Sequence, residues 1–156
     1  MKRWVWMCAI IIFVTLIAST PFKGRDIAKL IPVEVIWLSE SQGEVYLETD
    51  AGDSGLGTSV QDALENMKQS VAGTLFLETA DYLILNQEDE YLLEQVFPLL
   101  RPTCMICAAS KIPDMENIGK FLSAHEPDLT LRQYRVRGGD IPVLDEKDGR
   151  YFWRGE

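Results

Sequence analysis

Asp81-Tyr82-Leu83-Ile84-Leu85, then Glu88 to Leu100, then Cys104-Met105-Ile106-Cys107-Ala108-Ala109: the order of these three stretches decides the fold. The first and third are short apolar runs, the form a strand takes when both of its faces are covered. Between them, Leu92, Leu93, Val96, Leu99 and Leu100 recur on one helical face, which Pro98 should kink or end early. Upstream, Ile31 to Leu38 and Glu44 to Thr49 both alternate, and the turn-rich spacer Ser39-Glu40-Ser41-Gln42-Gly43 joins them into a β-hairpin. Gly52 to Gly57 reads as a loop. Thr58 or Ser59 then caps a helix that carries Val60, Leu64, Met67 and Val71 on one face and ends at Gly73. Downstream, Asp114 caps a helix through Ile118, Phe121 and Leu122 that stops before Pro127. Two strand-helix-strand units in succession predict an α/β domain, a mixed sheet flanked by helices, with α+β as the alternative. Residues 23–136 make up that domain, and residues 137–156 read as a Gly- and charge-rich tail hinged at Gly138-Gly139. Within the tail, Tyr151-Phe152-Trp153 would add an edge strand or dock on a partner.

The length of 156 residues, 47% of them hydrophobic, suits one core and is too short for two ordinary domains. Charge is unevenly placed along it. Residues 1–30 carry five basic and one acidic side chain, residues 31–100 one and fourteen, and residues 101–156 nine of each, for a net −9. A middle whose sole cation is Lys68 would repel a phosphate backbone, which excludes nucleic acid as an expected partner. At the N-terminus, Met1-Lys2-Arg3 leads into the apolar run Trp4 to Ala18, closed by Ser19-Thr20-Pro21. This layout directs a chain to a membrane, and residues 1–22 are read as an anchor or signal segment. Ile17-Ala18-Ser19 is a poor cleavage site and Pro21 opposes cutting there, so an uncleaved anchor with the domain on the outer side is expected.

Candidates for chemistry each meet a plainer explanation. Cys104 and Cys107 form a C-x-x-C, but in a strand residues three apart point to opposite faces, and no further zinc ligands stand at a usual spacing. Two small core residues are expected. The segment Gly52-Asp53-Ser54-Gly55-Leu56-Gly57-Thr58-Ser59 has the G-x-x-x-x-G spacing of a phosphate loop, yet Thr58 occupies the lysine position and Asp50 and Asp53 add negative charge. The single histidine, His125, ends a helix, where the dipole suffices to explain it. Asp50 and Asp53 with Glu88, Asp89 and Glu90 lack the calcium-loop layout. No enzyme, cofactor or metal site is therefore expected.

The order of elements resembles a known family. A membrane segment is followed by Arg25-Asp26-Ile27-Ala28-Lys29-Leu30, a hairpin, Gly57-Thr58-Ser59-Val60-Gln61-Asp62-Ala63-Leu64, and then Leu75-Phe76-Leu77 and Tyr82-Leu83-Ile84-Leu85. Over about residues 25–135 this is similar to the N-terminal domain of the Ger(x)C family, the C subunits of spore germinant receptors. The resemblance implies attachment to the inner spore membrane, a role in sporulation or germination, and integral membrane receptor subunits as partners. Two features depart from the family: Thr20-Pro21-Phe22 stands where members carry a lipobox cysteine, and members are more than twice this length.

The expected function is thus a tethered interaction or assembly domain, held at the membrane by residues 4–18. An unrelated envelope binding module is the alternative, and an enzyme a more distant one. The candidate partner surface comprises Glu65 on the first helix, the acidic turn Glu88, Asp89 and Glu90, and the aromatic Tyr151, Phe152 and Trp153.

Overall fold

Gln42 and Gly43 alone make the turn of the first hairpin, because both adopt positive φ, +56° and +83°, the twist that lets two residues reverse a strand pair. The expected five-residue spacer is accordingly shorter, and β2 (Val35–Ser41) and β3 (Glu44–Thr49) pair up to Ser41 and Glu44. A computed structural model of the chain describes residues 30–155, so the expected anchor at residues 4–18 lies outside the described residues. Among the described residues no helix is long and apolar enough to cross a membrane. Ahead of β2, a short β1 (Leu30–Pro32) pairs in parallel with β5 (Thr74–Phe76) as a separate two-stranded sheet. Thr79 ties the two regions, accepting from the Val33 amide at 3.1 Å and donating to the Val33 carbonyl at 3.0 Å.

The stretch read as the Gly52–Gly57 loop instead contains β4 (Ser54–Gly57), which pairs antiparallel with β3. α1 (Val60–Ser70) starts at the Ser59 cap and stops at Val71, two residues before Gly73. β6 (Tyr82–Asn86) and β7 (Met105–Ala109) form as expected and lie side by side in parallel. The Glu88–Leu100 helix is broken: Glu90–Leu92 is a 3₁₀ turn, and α2 is only Leu93–Val96 before Pro98. α3 (Ile118–Ala124) begins after Asn117, so Asp114 does not cap it directly but holds the preceding turn through the Glu116 amide.

Residues 128–153 differ most from expectation. Thr130 and Gln133 form a reciprocal capping box that starts α4 (Leu131–Arg137), a helix not expected from the sequence. The supposed tail supplies β8 (Val143–Lys147) and β9 (Arg150–Trp153). The main sheet has the order β4-β3-β2-β6-β7-β8-β9, with four parallel strands in the middle and antiparallel partners at both edges. β8 meets only the upper end of β7, at Ala108 and Ala109. Beside the lower end of β7 runs Leu129–Leu131, with the Ile106 amide donating to the Leu129 carbonyl at 2.8 Å and the Leu131 amide donating to the Cys104 carbonyl at 2.9 Å.

Strand alternation sorts the core into two layers around this sheet. Ile36, Leu38, Leu83, Leu85 and Ile106 face α1, α2 and the first turn of α4, meeting Leu64, Met67, Leu93, Val96 and Leu131. Val35, Trp37, Tyr82, Ile84 and Cys107 face the opposite way, onto Ile118 and Leu122 of α3. The protein is therefore α/β, a mixed sheet with helices on both faces. Each fully buried Leu or Ile contributes roughly 1.5–3 kcal/mol of transfer free energy.

Candidate functional site

The thiols come first among groups capable of chemistry. Cys104, just ahead of β7, packs in the layer with α1, and Cys107 lies in the layer with α3. Both are buried and free, on opposite faces of the sheet. Burial pushes the Cys104 thiol up to about 12 and raises that of Cys107 as well. Since the thiolate is the nucleophile, a pKa moved from 9.0 to about 12 cuts the reactive fraction at neutral pH roughly a thousandfold. Iodoacetamide should accordingly label neither residue in the native chain and both after denaturation, as read by peptide mapping. Labelling of either thiol under native conditions would show that this region opens.

The glycines of the phosphate-loop-like segment serve packing. A Cβ on Gly55 would stand 2.1 Å from the Ala63 carbonyl oxygen, and one on Gly57 2.3 Å from the Ala63 nitrogen. β4 can lie this close to α1 only without side chains there. Thr58 donates to the Asp62 carboxylate at 2.5 Å, and Ser59 accepts from the Asp62 amide at 3.1 Å. The Thr58 and Ser59 hydrogen bonds hold the Asp62 carboxyl below its usual range. The start of α1 thus already carries its own anion.

At the carboxyl ends of β2 and β6, where open α/β sheets commonly bind ligands, the polar groups are tied to one another. Asp89, expected on the surface, is instead 6% exposed. Its carboxylate accepts from the Glu40 amide at 2.7 Å and from the Asn86 side-chain amide at 2.8 Å, which fixes the turn between β6 and α2. Glu88 and Glu90 remain exposed. The Tyr134 hydroxyl donates to Glu90 and the Tyr91 hydroxyl to Glu40, and these bonds push both phenols up to about 12. A cleft of about 240 Å³ remains beside this network, with Asn86, Gln87, Glu90 and Asp140 among its walls.

The other expected surface residues lie far apart. Glu65 is exposed on α1, which packs over β3 and β4 at one edge of the sheet. Tyr151 and Trp153 sit on β9 at the opposite edge, half-buried against Phe121, with ring centroids 5.7 and 5.9 Å away. Six strand spacings of about 4.8 Å put roughly 29 Å between those edges. Phe152 points the other way along β9 and is exposed. His125 closes α3, donating its amide to the Phe121 carbonyl at 2.9 Å, with its ring 4.9 Å from that of Phe121. Among the described residues no three His, Cys, Asp or Glu side chains are grouped to hold a metal ion.

A larger concavity than the Asn86–Asp140 cleft lies elsewhere among the described residues. Between the end of α2 and α4 runs a groove of about 470 Å³, floored by Phe97, Leu100, Pro102 and Leu131 and bordered by Arg132, Arg135 and Val136. Val136 is 73% exposed, the most open large apolar side chain among the described residues. The Arg135 guanidinium lies over the Phe97 ring, 5.3 Å from its centroid. Neither Arg132 nor Arg135 forms an ion pair among the described residues, although the chain carries a net charge of −9. The residues expected to meet a partner include none from this groove. Its readable signal was the Thr130-Leu131-Arg132-Gln133 capping pattern, which announces a helix with arginines on its surface. The chain matches no family model, no curated protein and no solved structure.

Proposed function

We propose that this chain is a membrane-tethered, extracytoplasmic interaction domain, held at the bilayer by residues 4–18 and docking a partner protein through its globular part. The observation that carries this reading is the apolar groove beside α4, with two arginines at its border that find no acidic partner within the described fold. A bordered apolar groove on a small domain is the form that peptide- and helix-docking sites take. The groups that chemistry could have used, Cys104, Cys107, Asp62 and Asp89, serve the core and the caps. The resemblance to the first domain of Ger(x)C subunits agrees with assembly alongside integral membrane receptor subunits, in sporulation or germination, at the inner spore membrane. The cleft at Asn86, Gln87, Glu90 and Asp140 supports a second reading, an unrelated envelope module binding a small polar ligand.

Removal of residues 1–22 tests the tether. The shortened chain should move entirely from the membrane pellet to the soluble fraction and melt as a folded protein. Retention in the pellet at high salt would refute attachment through this segment.

A further inference from the structure

We infer that the groove between α2 and α4 docks an acidic amphipathic helix of a partner protein, apolar side inward and carboxylates on Arg132 and Arg135. The inference rests on the interaction reading above and names the chemistry of the partner. Three observations converge on it.

The floor is apolar and concave, so it accepts inserted side chains. A flat bilayer surface would fill it poorly. The charge is local and opposite to that of the chain as a whole: residues 31–100 hold fourteen acids against Lys68, whereas Leu131–Arg137 holds three arginines and no acid. A partner selected by the overall field would be basic, but one selected by this groove is acidic.

Spacing sets the form of the ligand. Arg132 and Arg135 stand three residues apart on one helix, about 5–6 Å between neighbouring positions. Acids at i and i+3 or i+4 of a second helix lying alongside α4 match that separation, with leucine-like residues between them over Leu100, Pro102 and Leu131. The Arg135 guanidinium already stands over the Phe97 ring, 5.3 Å from its centroid, which holds it beside the groove, and its planar fork suits a two-point contact with a carboxylate.

The test holds the full chain in phosphatidylcholine nanodiscs and titrates it with a fluorescent amphipathic peptide of about four helical turns. The peptide carries leucines on one face, bordered by glutamates at i and i+3; a second peptide has lysines in their place. The acidic peptide should bind at least roughly tenfold more tightly than the lysine peptide, a difference of about 1.4 kcal/mol. The double variant Arg132→Glu, Arg135→Glu should invert the preference, and that gain of lysine-peptide binding distinguishes lost contact from lost folding. Equal affinity of both peptides for the native chain, or an unchanged preference in the double variant, would overturn the inference. So would displacement of the acidic peptide by phosphatidylglycerol vesicles but not by phosphatidylcholine vesicles, since the groove would then face an anionic bilayer. The same titration of the full chain in dodecyl maltoside micelles needs no insertion in a bilayer through residues 1–22, so a failed tether and a failed groove are read separately.

Discussion

Gly55→Ala should destabilise the domain by roughly 3 kcal/mol or more, although it adds a single methyl group to a half-buried position. The added carbon would lie 2.1 Å from the Ala63 carbonyl oxygen, 2.8 Å from the Met67 Cβ and 2.9 Å from the Met67 nitrogen. These neighbours are backbone or backbone-proximal atoms in the middle of α1, so no rotamer change can make room. Either β4 leaves β3, losing the pairs from Val45–Gly57 to Glu48–Ser54, or α1 lifts from the sheet and exposes Ala63, Leu64 and Met67. Urea unfolding of the glycine and alanine forms, compared at equal slope, reads the difference. Leu56→Ala, one residue along and 52% exposed, should stay within about 0.5 kcal/mol and serves as the control. A Gly55→Ala midpoint equal to that of the native chain would mean that β4 does not approach α1 this closely.

Leu64→Ala is the second large effect, expected at about 2–5 kcal/mol. Leu64 is 4% exposed and belongs to the layer in which α1 meets Ile36, Leu38, Val45 and Leu47. Truncation removes buried methyl groups, and the cavity left between a helix and a pleated sheet closes only in part. Its neighbour Glu65 points to solvent, so Glu65→Ala should change stability by less than about 0.5 kcal/mol. Equal midpoints for the two variants would place the wrong face of α1 against the sheet.

Much of the fold was legible where a local pattern and a buried position coincide. β3 alternates as expected, whereas Val35–Leu38 of β2, like β6 and β7, is apolar on both faces because helices cover both. β4 was not legible as a strand. Gly55 and Gly57 are there for helix contact, and two glycines in four residues carry the composition of a loop. The C-terminal hairpin had a readable signal in Asp148-Gly149, both at positive φ, 53° and 73°. It was obscured because Asp145, Glu146, Lys147 and Arg150 give its strands a polar, tail-like composition.

The groove was beyond local reading for a different reason. Its two walls come from Phe97–Pro102 and Leu131–Val136, and no spacing rule joins segments about thirty positions apart. Asp89 shows the converse difficulty. Nothing in Glu88-Asp89-Glu90 distinguishes the middle carboxylate, which is held inward by the local Asn86 side chain together with the distant Glu40 amide.

The parallel pairing of β2 with β6 also fixes the order in which the domain can assemble. Leu38 finds its partner at Leu85, 47 positions further along, while its hairpin partner Leu47 is nearby. Loop closure over the longer span is slower and entropically costlier, so the β2–β3 hairpin forms first and waits. At a synthesis rate of roughly 5–20 residues per second, those 47 positions correspond to about 2–10 s. Throughout that interval Val35-Ile36-Trp37-Leu38, apolar on both faces, presents an open backbone edge to any other nascent strand. The stage at which this protein is most open to mispairing is therefore early in its life, before β6 arrives to cover the free edge of β2.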